Sequence, residues 1–431
     1  MKLARLTHLQ GPIARGTLRT SVVLGLRLLV QAGTLLLVAR MLGPEQFGAF
    51  AGVVALALIL GTLATFGTHI VLLAEVSVDG ARRSTVLPYA LPLTLVCGSA
   101  LLVIYLLVCK LAFGEAGVSM ATLVAIGATE CLLQPLLGFC VAEHHGLGRI
   151  ARSQLLQISP LSLRLVAAGV VIFAKFAHPL TAYGYGYLAA SAVALAFASR
   201  TLPAGWPALK TWRLPRAHEL REAAGFAAIN ITATSPAELD KTLATKLLPL
   251  AASGLYAAGA RVIGAATLPV GAMMLAALPR LFRDSQNQHV RVARLLRWLF
   301  AAALAYSVAL AVVMWLIAPA IAWIFGPKYH GIEHTIHWLT LAVPGMALRM
   351  AAGSVLMALG RPWMRVGFEA AGLAILGVGA VVLTGHFGAA GMPLALACSE
   401  WAMALIGMLA VIRTRPTEAP GSLKDGTRHS T

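Results

Sequence analysis

The chain is 431 residues long, 59% hydrophobic and 12% charged, with a formal net charge of +18. A soluble domain carries about 25% charged residues, so a water-soluble enzyme or binding module is excluded. Apolar runs near 20 residues long recur from Leu18 to the 410s, and they are continuous rather than alternating. That pattern predicts an all-α polytopic membrane protein and excludes a spanning β-barrel.

In chain order, residues 1–17 are basic and broken by Gly11-Pro12, with no apolar core of a cleavable signal. Twelve transmembrane helices are predicted: 18–38, 47–67, 86–108, 118–141, 154–175, 181–199, 223–248, 254–277, 298–324, 335–359, 364–384 and 388–412. The most polar loop, 200–222, holds Pro203, Pro207 and Pro215 and divides the chain nearly in half. The expected domains are a six-helix lobe over 1–210, a second over 211–416 and a polar, disordered cytoplasmic tail over 417–431. Of 34 Lys and Arg, 24 fall on the side of the N-terminus, five on the other side and five inside spans. The positive-inside rule then places both termini in the cytoplasm. The charge reports topology and attraction to anionic membrane lipids rather than a nucleic-acid partner. The stretch 277–298 reads as an amphipathic basic connector, with Arg291, Arg294 and Arg297 three apart. Its first meaning is a solvated loop helix. The five cysteines lie in or beside apolar segments without CxxC spacing and read as small membrane-embedded side chains.

Two short matches join the halves. ARMLGPEQFGAF (39–50) aligns with TKLLPLAASGLY (245–256) at a separation of 206 residues, pairing Gly48 with Gly254 and Phe50 with Tyr256. HHGLGRIARSQ (144–154) aligns with LMALGRPWMRV (356–366) at a separation of 212. Each match occupies the same ordinal place in its half, and six spans per half is an even number. A direct repeat about an axis along the membrane normal is therefore expected, against the alternative of chance similarity between Gly-rich turns.

ARMLGPEQFGAFAGVVAL, residues 237–283, IAPAIAWIFGPKYHG (317–331) and MALRMAAGSVLMALGRP (346–362) together resemble the polysaccharide-biosynthesis flippases. That family sits within the multidrug/oligosaccharidyl-lipid/polysaccharide exporter superfamily. The resemblance covers nearly the whole chain except the tail. It implies two six-helix lobes around a central cavity, and translocation of an undecaprenyl-pyrophosphate-linked oligosaccharide across the bacterial inner membrane by alternating access. The product would be exopolysaccharide, O-antigen or capsule. The implied partners are that polyprenyl-pyrophosphate-linked oligosaccharide, membrane lipids, a polysaccharide polymerase and glycosyltransferases. No cofactor is expected.

Five basic residues fall within spans: Arg27, Arg164, Lys241, Arg261 and Arg349. Each would cost about 2.5–3.5 kcal/mol at a helix centre facing lipid, so most must face protein or water. Two readings stand. In one they form internal salt bridges with Glu130, Glu238, Asp240, Glu369 and Glu400; Glu400, the lone charge of its span, would meet a base from another helix. Asp240 and Lys241, being adjacent, are expected to point about 100° apart, and Glu369 pairs with Arg365 four residues before it. In the other reading the bases line a cationic cavity, because Arg forks bind phosphate and carboxylate oxygens bidentately. The family architecture would place spans 1, 7 and 8 around that cavity. This favours Arg27, Lys241 and Arg261 for substrate, with Arg164 and Arg349 as weaker candidates and Asp240 for ion coupling. Span 7, AINITATSPAELDKT, is expected to kink at Pro236 and line water.

Two other clusters yield nothing stronger. Glu143-His144-His145 reads as a turn without further metal ligands. His330, Glu333, His334 and His337 read as a polar interfacial helix start rather than a metal or pH site. No GxxxxGK[ST] is present, so ATP bound by this chain is not the energy source. The competing function is a cation-coupled multidrug/toxin antiporter, which would favour an acidic cavity. A membrane polymerase or ligase would need a sizeable outward loop with acid/base groups, and the predicted loops are short.

Overall fold

The structure is a computed structural model and describes residues 12–114, 117–285 and 289–414, with side chains outside 12–24, 268 and 271–295. The tail and most of the basic connector over 277–298 lie outside the described side chains. In the first half run α1 (Pro12–Ala64), α2 (Thr68–Val78), α3 (Arg83–Ala112), α4 (Met120–Ala128), α5 (Gln134–Gly146), α6 (Ile150–Ala174) and α7 (Pro179–Arg200). The second half holds α8 (Ala217–Thr234), α9 (Leu239–Leu247), α10 (Leu250–Ser285), α11 (His289–Phe325), α12 (Ile332–Leu339), α13 (Val343–Ala358), α14 (Pro362–Phe387) and α15 (Gly391–Arg413).

These helices make about twelve crossings. Eight stretches of the described residues are long and apolar enough to span, and two of them, Gly25–Ala64 and Pro362–Arg413, are 40 and 52 residues long. At 1.5 Å per residue each covers at least about 60 Å, twice a bilayer core, so each folds back as two crossings. In α1 the fold-back is at Gly43, whose φ of 72° and ψ of 170° break the helix, and Pro44 opens the second arm. The remaining crossings are the broken pair α8–α9, whose polar residues lower its hydropathy, and helix α10.

Span 7 does break where Pro236 predicts. Helix α8 stops at Thr234, a 3₁₀ turn covers Ser235–Ala237, and α9 is a separate nine-residue helix ending in extended backbone at Leu248. Span 4 is interrupted as well, by a π-helical turn over Thr129–Leu133 between α4 and α5.

The second sequence match has an identical local structure in both halves. Gly148 and Gly360 adopt φ of 71° and 69°. Around the first, Leu147, Gly148 and Arg149 donate backbone N–H to the carbonyls of Glu143, His145 and His144; around the second, Leu359, Gly360 and Arg361 donate to Val355, Met357 and Leu356. Both are glycine-terminated helix ends that reuse the last orphan carbonyls.

The core is not uniform along the bundle. At the end carrying the 39–50 and 245–256 joints, one apolar cluster runs through both halves, from Val38, Phe47 and Tyr183 to Tyr256, Ile263 and Ile336. At the opposite end, among the described side chains, the core separates. Leu137, Leu156 and Leu202 pack within the first half, and Leu299, Leu356 and Phe368 within the second. There a cluster around Leu72 and Phe139 reaches across only to Ala223 and Phe226 of α8. The loop after α7 stays with the first half: Arg213 donates its backbone N–H to Pro88 O at 3.0 Å and lies 4.7 Å over the Tyr89 ring. The same guanidinium then grips Glu219 in the first turn of α8, at 2.5 and 2.8 Å.

Candidate functional site

Three of the five intramembrane bases are neutralised by carboxylates. Arg164 on α6 is buried and donates to Glu130 Oε1 and Ser191 Oγ, each at 3.0 Å. Its guanidinium lies 3.5 Å from the centre of the Tyr187 ring, and the Tyr187 hydroxyl donates to the same Glu130 oxygen at 2.5 Å. The π-helical turn is what presents Glu130 to this cluster. Arg349 on α13 donates its Nε to Glu400 Oε2 of α15 at 2.6 Å and lies 3.8 Å from Glu369 of α14. Glu400 therefore does meet a base from another helix. Glu369 pairs with Arg365 at 3.0 Å but is itself 1% exposed, so it belongs to this buried network and not to a helix surface.

Lys241 overturns the expectation that adjacent residues diverge. Its Nζ lies 3.2 Å from Asp240 Oδ1 and 3.8 Å from Glu238 Oε2, and it also bonds Ala237 O. The 100° azimuth applies to the Cα–Cβ bonds; a four-carbon stem on the first turn after a helix break bends back past it. Asp240 also accepts from the backbone N–H of Lys241 at 2.8 Å and from the Tyr256 hydroxyl at 2.8 Å.

Arg27 and Arg261 differ from these three. Arg27 on the first arm of α1 is half-buried and donates to the neutral Gln157 Oε1 of α6 at 3.2 Å. Arg261 on α10 is half-buried, its Nε is enclosed without an acceptor, and the Tyr183 hydroxyl of the other half lies within its field. Among the described residues neither has a carboxylate partner. One stands in each half of the chain.

Sequence reasoning missed the groups that join the halves. Four side chains of the second half donate to backbone carbonyls of the first: Thr245 to Gly48 at 3.0 Å, Thr242 to Gly52 at 3.4 Å, Lys246 to Ala112 at 2.9 Å and Tyr329 to Ala39 at 2.9 Å. Only the Gly-rich joints hinted at them. Toward the other end, His69 contacts Thr65 Oγ1 at 2.7 Å and Asn230 Nδ2 of α8 at 3.4 Å, and nothing in its apolar surroundings signalled it.

The two minor clusters are structural. Glu143 pairs with Arg83 at 2.8 Å and His144 bonds Thr201 at 3.0 Å. His334 accepts from Trp338 at 3.0 Å and His337 stacks on Trp315. No metal-like group of His, Cys, Asp or Glu occurs among the described residues. Two surface grooves, of about 430 and 610 Å³, are lined by side chains such as Val170, Phe176, Trp315 and Trp401, and neither contains any of the six predicted site residues.

The model of the family described as "Polysaccharide biosynthesis protein" matches residues 13–284. The chain belongs to the polysaccharide biosynthesis protein family. It is a multi-pass membrane protein. Among solved structures its fold is similar to an inward-facing multidrug resistance MATE family transporter of the MOP superfamily, with a TM-score of 0.72, 15% identity, and coverage of 90% of this chain and 93% of the other. An outward-facing multidrug resistance MATE family transporter gives 0.63 at 15% identity, covering 94% and 96%. A MOP superfamily transporter from Pyrococcus furiosus, described by a reverse polarity of its binding pocket, also gives 0.63 at 15% identity, covering 91% and 94%. No curated protein matches the chain. For this polysaccharide biosynthesis protein the fold is thus that of the MOP superfamily, over most of its length.

Proposed function

We propose that the chain flips an undecaprenyl-pyrophosphate-linked oligosaccharide across the bacterial inner membrane for exopolysaccharide, O-antigen or capsule synthesis. The observation that carries this reading is the pair Arg27 and Arg261, half-buried cations without a carboxylate partner among the described residues, one in each half. A pyrophosphate headgroup is the anion such forks suit. The two halves act as six-helix lobes over 1–210 and 211–416, related by a direct repeat, with both termini cytoplasmic. Among the described side chains, the core shared at the joint end and divided at the other supports a form closed outward and parted toward the cytoplasm. The headgroup enters between the lobes, Arg27 and Arg261 hold it, and rocking of the lobes presents it outward while the polyprenyl tail stays in lipid. Lys241, Arg164 and Arg349 serve as members of charged networks that keep the lobes' shape. Asp240, in the broken span, couples the movement to an ion gradient.

A second reading, a cation-coupled multidrug antiporter, draws on one observation. Glu238, Asp240, Glu369 and Glu400 outnumber Lys241, Arg349 and Arg365 in the second half's network. The two readings separate in a cell that makes the polymer. Arg27→Ala and Arg261→Ala are expected to abolish surface polymer at normal protein levels. Full polymer output from both, with altered drug sensitivity, would favour the antiporter. An ion dependence of transport unchanged in Asp240→Asn would remove Asp240 from coupling.

A further inference from the structure

Helix α9 carries two sets of residues with different tasks. Its first turn holds Asp240 and Lys241, both buried in the charge network. The remaining turns hold Thr242, Thr245 and Lys246, three of the four donors that reach across to carbonyls of the first half. The helix has nine residues and is cut from α8 by the 3₁₀ turn at Ser235–Ala237 and from α10 by extended Leu248. No backbone helix constrains it from either side, so it can shift as a unit. Thr245 joins the two sets directly: its hydroxyl contacts Gly48 O, Lys241 O and Ser253 Oγ at 2.9–3.0 Å.

We infer that α9 is a link through which the charge on Asp240 controls closure of the joint end. This rests on the alternating-access reading and names the residues that close one gate. The latch is one-sided. Every donor belongs to the second half, and every acceptor is a main-chain carbonyl of the first. Such a latch needs α9 in register with α1, because Gly48 and Gly52 leave no side chain to adapt to a displaced helix. The register is set at the first turn. There Lys241 on its own helix and Glu238 at the helix cap flank Asp240, and the Tyr256 hydroxyl donates to it from α10. Nearby in the same half, Glu400 on α15 is held by Arg349, and α14 adds Glu369 with Arg365. Helix α1 faces α9 with glycine carbonyls. Neutralising Asp240 frees Lys241 and the Tyr256 hydroxyl together, and the turn that carries Thr245 moves with them. Tyr329 is the control built into the fold. It closes the same end by bonding Ala39 O but sits outside α9, on the turn after α11.

The test uses the full chain in lipid nanodiscs, without native cysteines, carrying spin labels at the exposed Leu111 and Glu333 near the joint end. Pulsed-EPR distances report the open fraction. Asp240→Asn is expected to raise it about fivefold or more, the lower range of allosteric couplings, and Asp240→Glu to restore it. Thr245→Val and Tyr329→Phe should each raise it alone. Combined with Asp240→Asn, Thr245→Val should add nothing, because both act through α9, while Tyr329→Phe should add its full effect. An unchanged distance in Asp240→Asn, or equal additivity with both partners, overturns the link. A size-exclusion profile matching wild type excludes misfolding, and Asp240→Glu remains informative if Asp240→Asn fails that check. If Asp240→Asn opens the joint end yet ion-dependent transport is untouched, the coupling role fails and the link stands. The reverse result removes the link alone.

Discussion

Gly48 and Gly254 touch backbone to backbone, and the contact is its own counterpart. A Cβ on Gly48 would collide with Leu250 O, and one on Gly254 with Pro44 O. Leu250 lies 206 residues after Pro44, as Gly254 lies 206 after Gly48. Residue i meets j while the equivalent of j meets the equivalent of i, which is how surfaces meet across a two-fold axis. The same separation that aligns the two joints in sequence thus relates the two sides of their contact.

That closeness makes the joint intolerant of a single methyl group. Gly254→Ala and Gly48→Ala should each destabilise the closed form by about 1–3 kcal/mol, the range for overpacking. Gly264→Ala, with nothing within 4 Å of its added carbon, should be neutral or slightly stabilising. Thermal unfolding in detergent, with thiol labelling at Leu111→Cys as a reporter of joint opening, checks both. Equal stability of all three variants would show that the backbones do not meet.

The intramembrane bases should divide into two kinds under substitution. Arg349→Ala leaves Glu400 and Glu369 buried without their shared partner, and Arg164→Ala does the same to Glu130. Removing one member of a buried pair costs about 3–5 kcal/mol, so both variants should show lower melting temperatures and lower levels in the membrane. Among the described residues, Arg27→Ala and Arg261→Ala strip no carboxylate of its partner, and stability should stay within about 1 kcal/mol of wild type. Polymer output with normal stability then reports the site rather than the fold. A stability loss in Arg261→Ala as large as that in Arg349→Ala would contradict the division.

Outside the spans, Glu219 supplies a pH-dependent clasp between the loop and α8. The hydrogen bonds from Arg213 lower its carboxyl from the usual 4.5 to about 2. A depressed carboxylate stabilises the fold fully above its unfolded value and loses that contribution as pH falls from about 4.5 through about 2. Arg213 is 35% exposed, so solvent screening keeps the effect modest. Trp212 fluorescence should change over that window in wild type and not in Glu219→Gln. A change at the same pH in both would assign it to another group.

The crossings, their ends and the two matched joints were legible in the sequence because each is a local property. Hydropathy over about 20 residues decides whether a segment enters lipid. Gly43-Pro44 and Pro236 break helices through their own backbone geometry. The number of charges placed in the membrane was equally plain, and so was the need to shelter them. Which of them are sheltered by each other was not. Arg164 and Glu130 are 34 residues apart, Arg349 and Glu400 are 51 apart, and Thr245 and Gly48 are 197 apart. Even adjacent Asp240 and Lys241 were misread, since a helical azimuth says where a side chain leaves the backbone and not where a flexible one ends. By itself the sequence determined how often the chain crosses the membrane and which polar groups it carries inside. Only the packing of distant helices decided that, among the described residues, Arg164, Lys241 and Arg349 pair with carboxylates while Arg27 and Arg261 do not, because pairing is a matter of ångströms between elements whose order along the chain does not specify their distance.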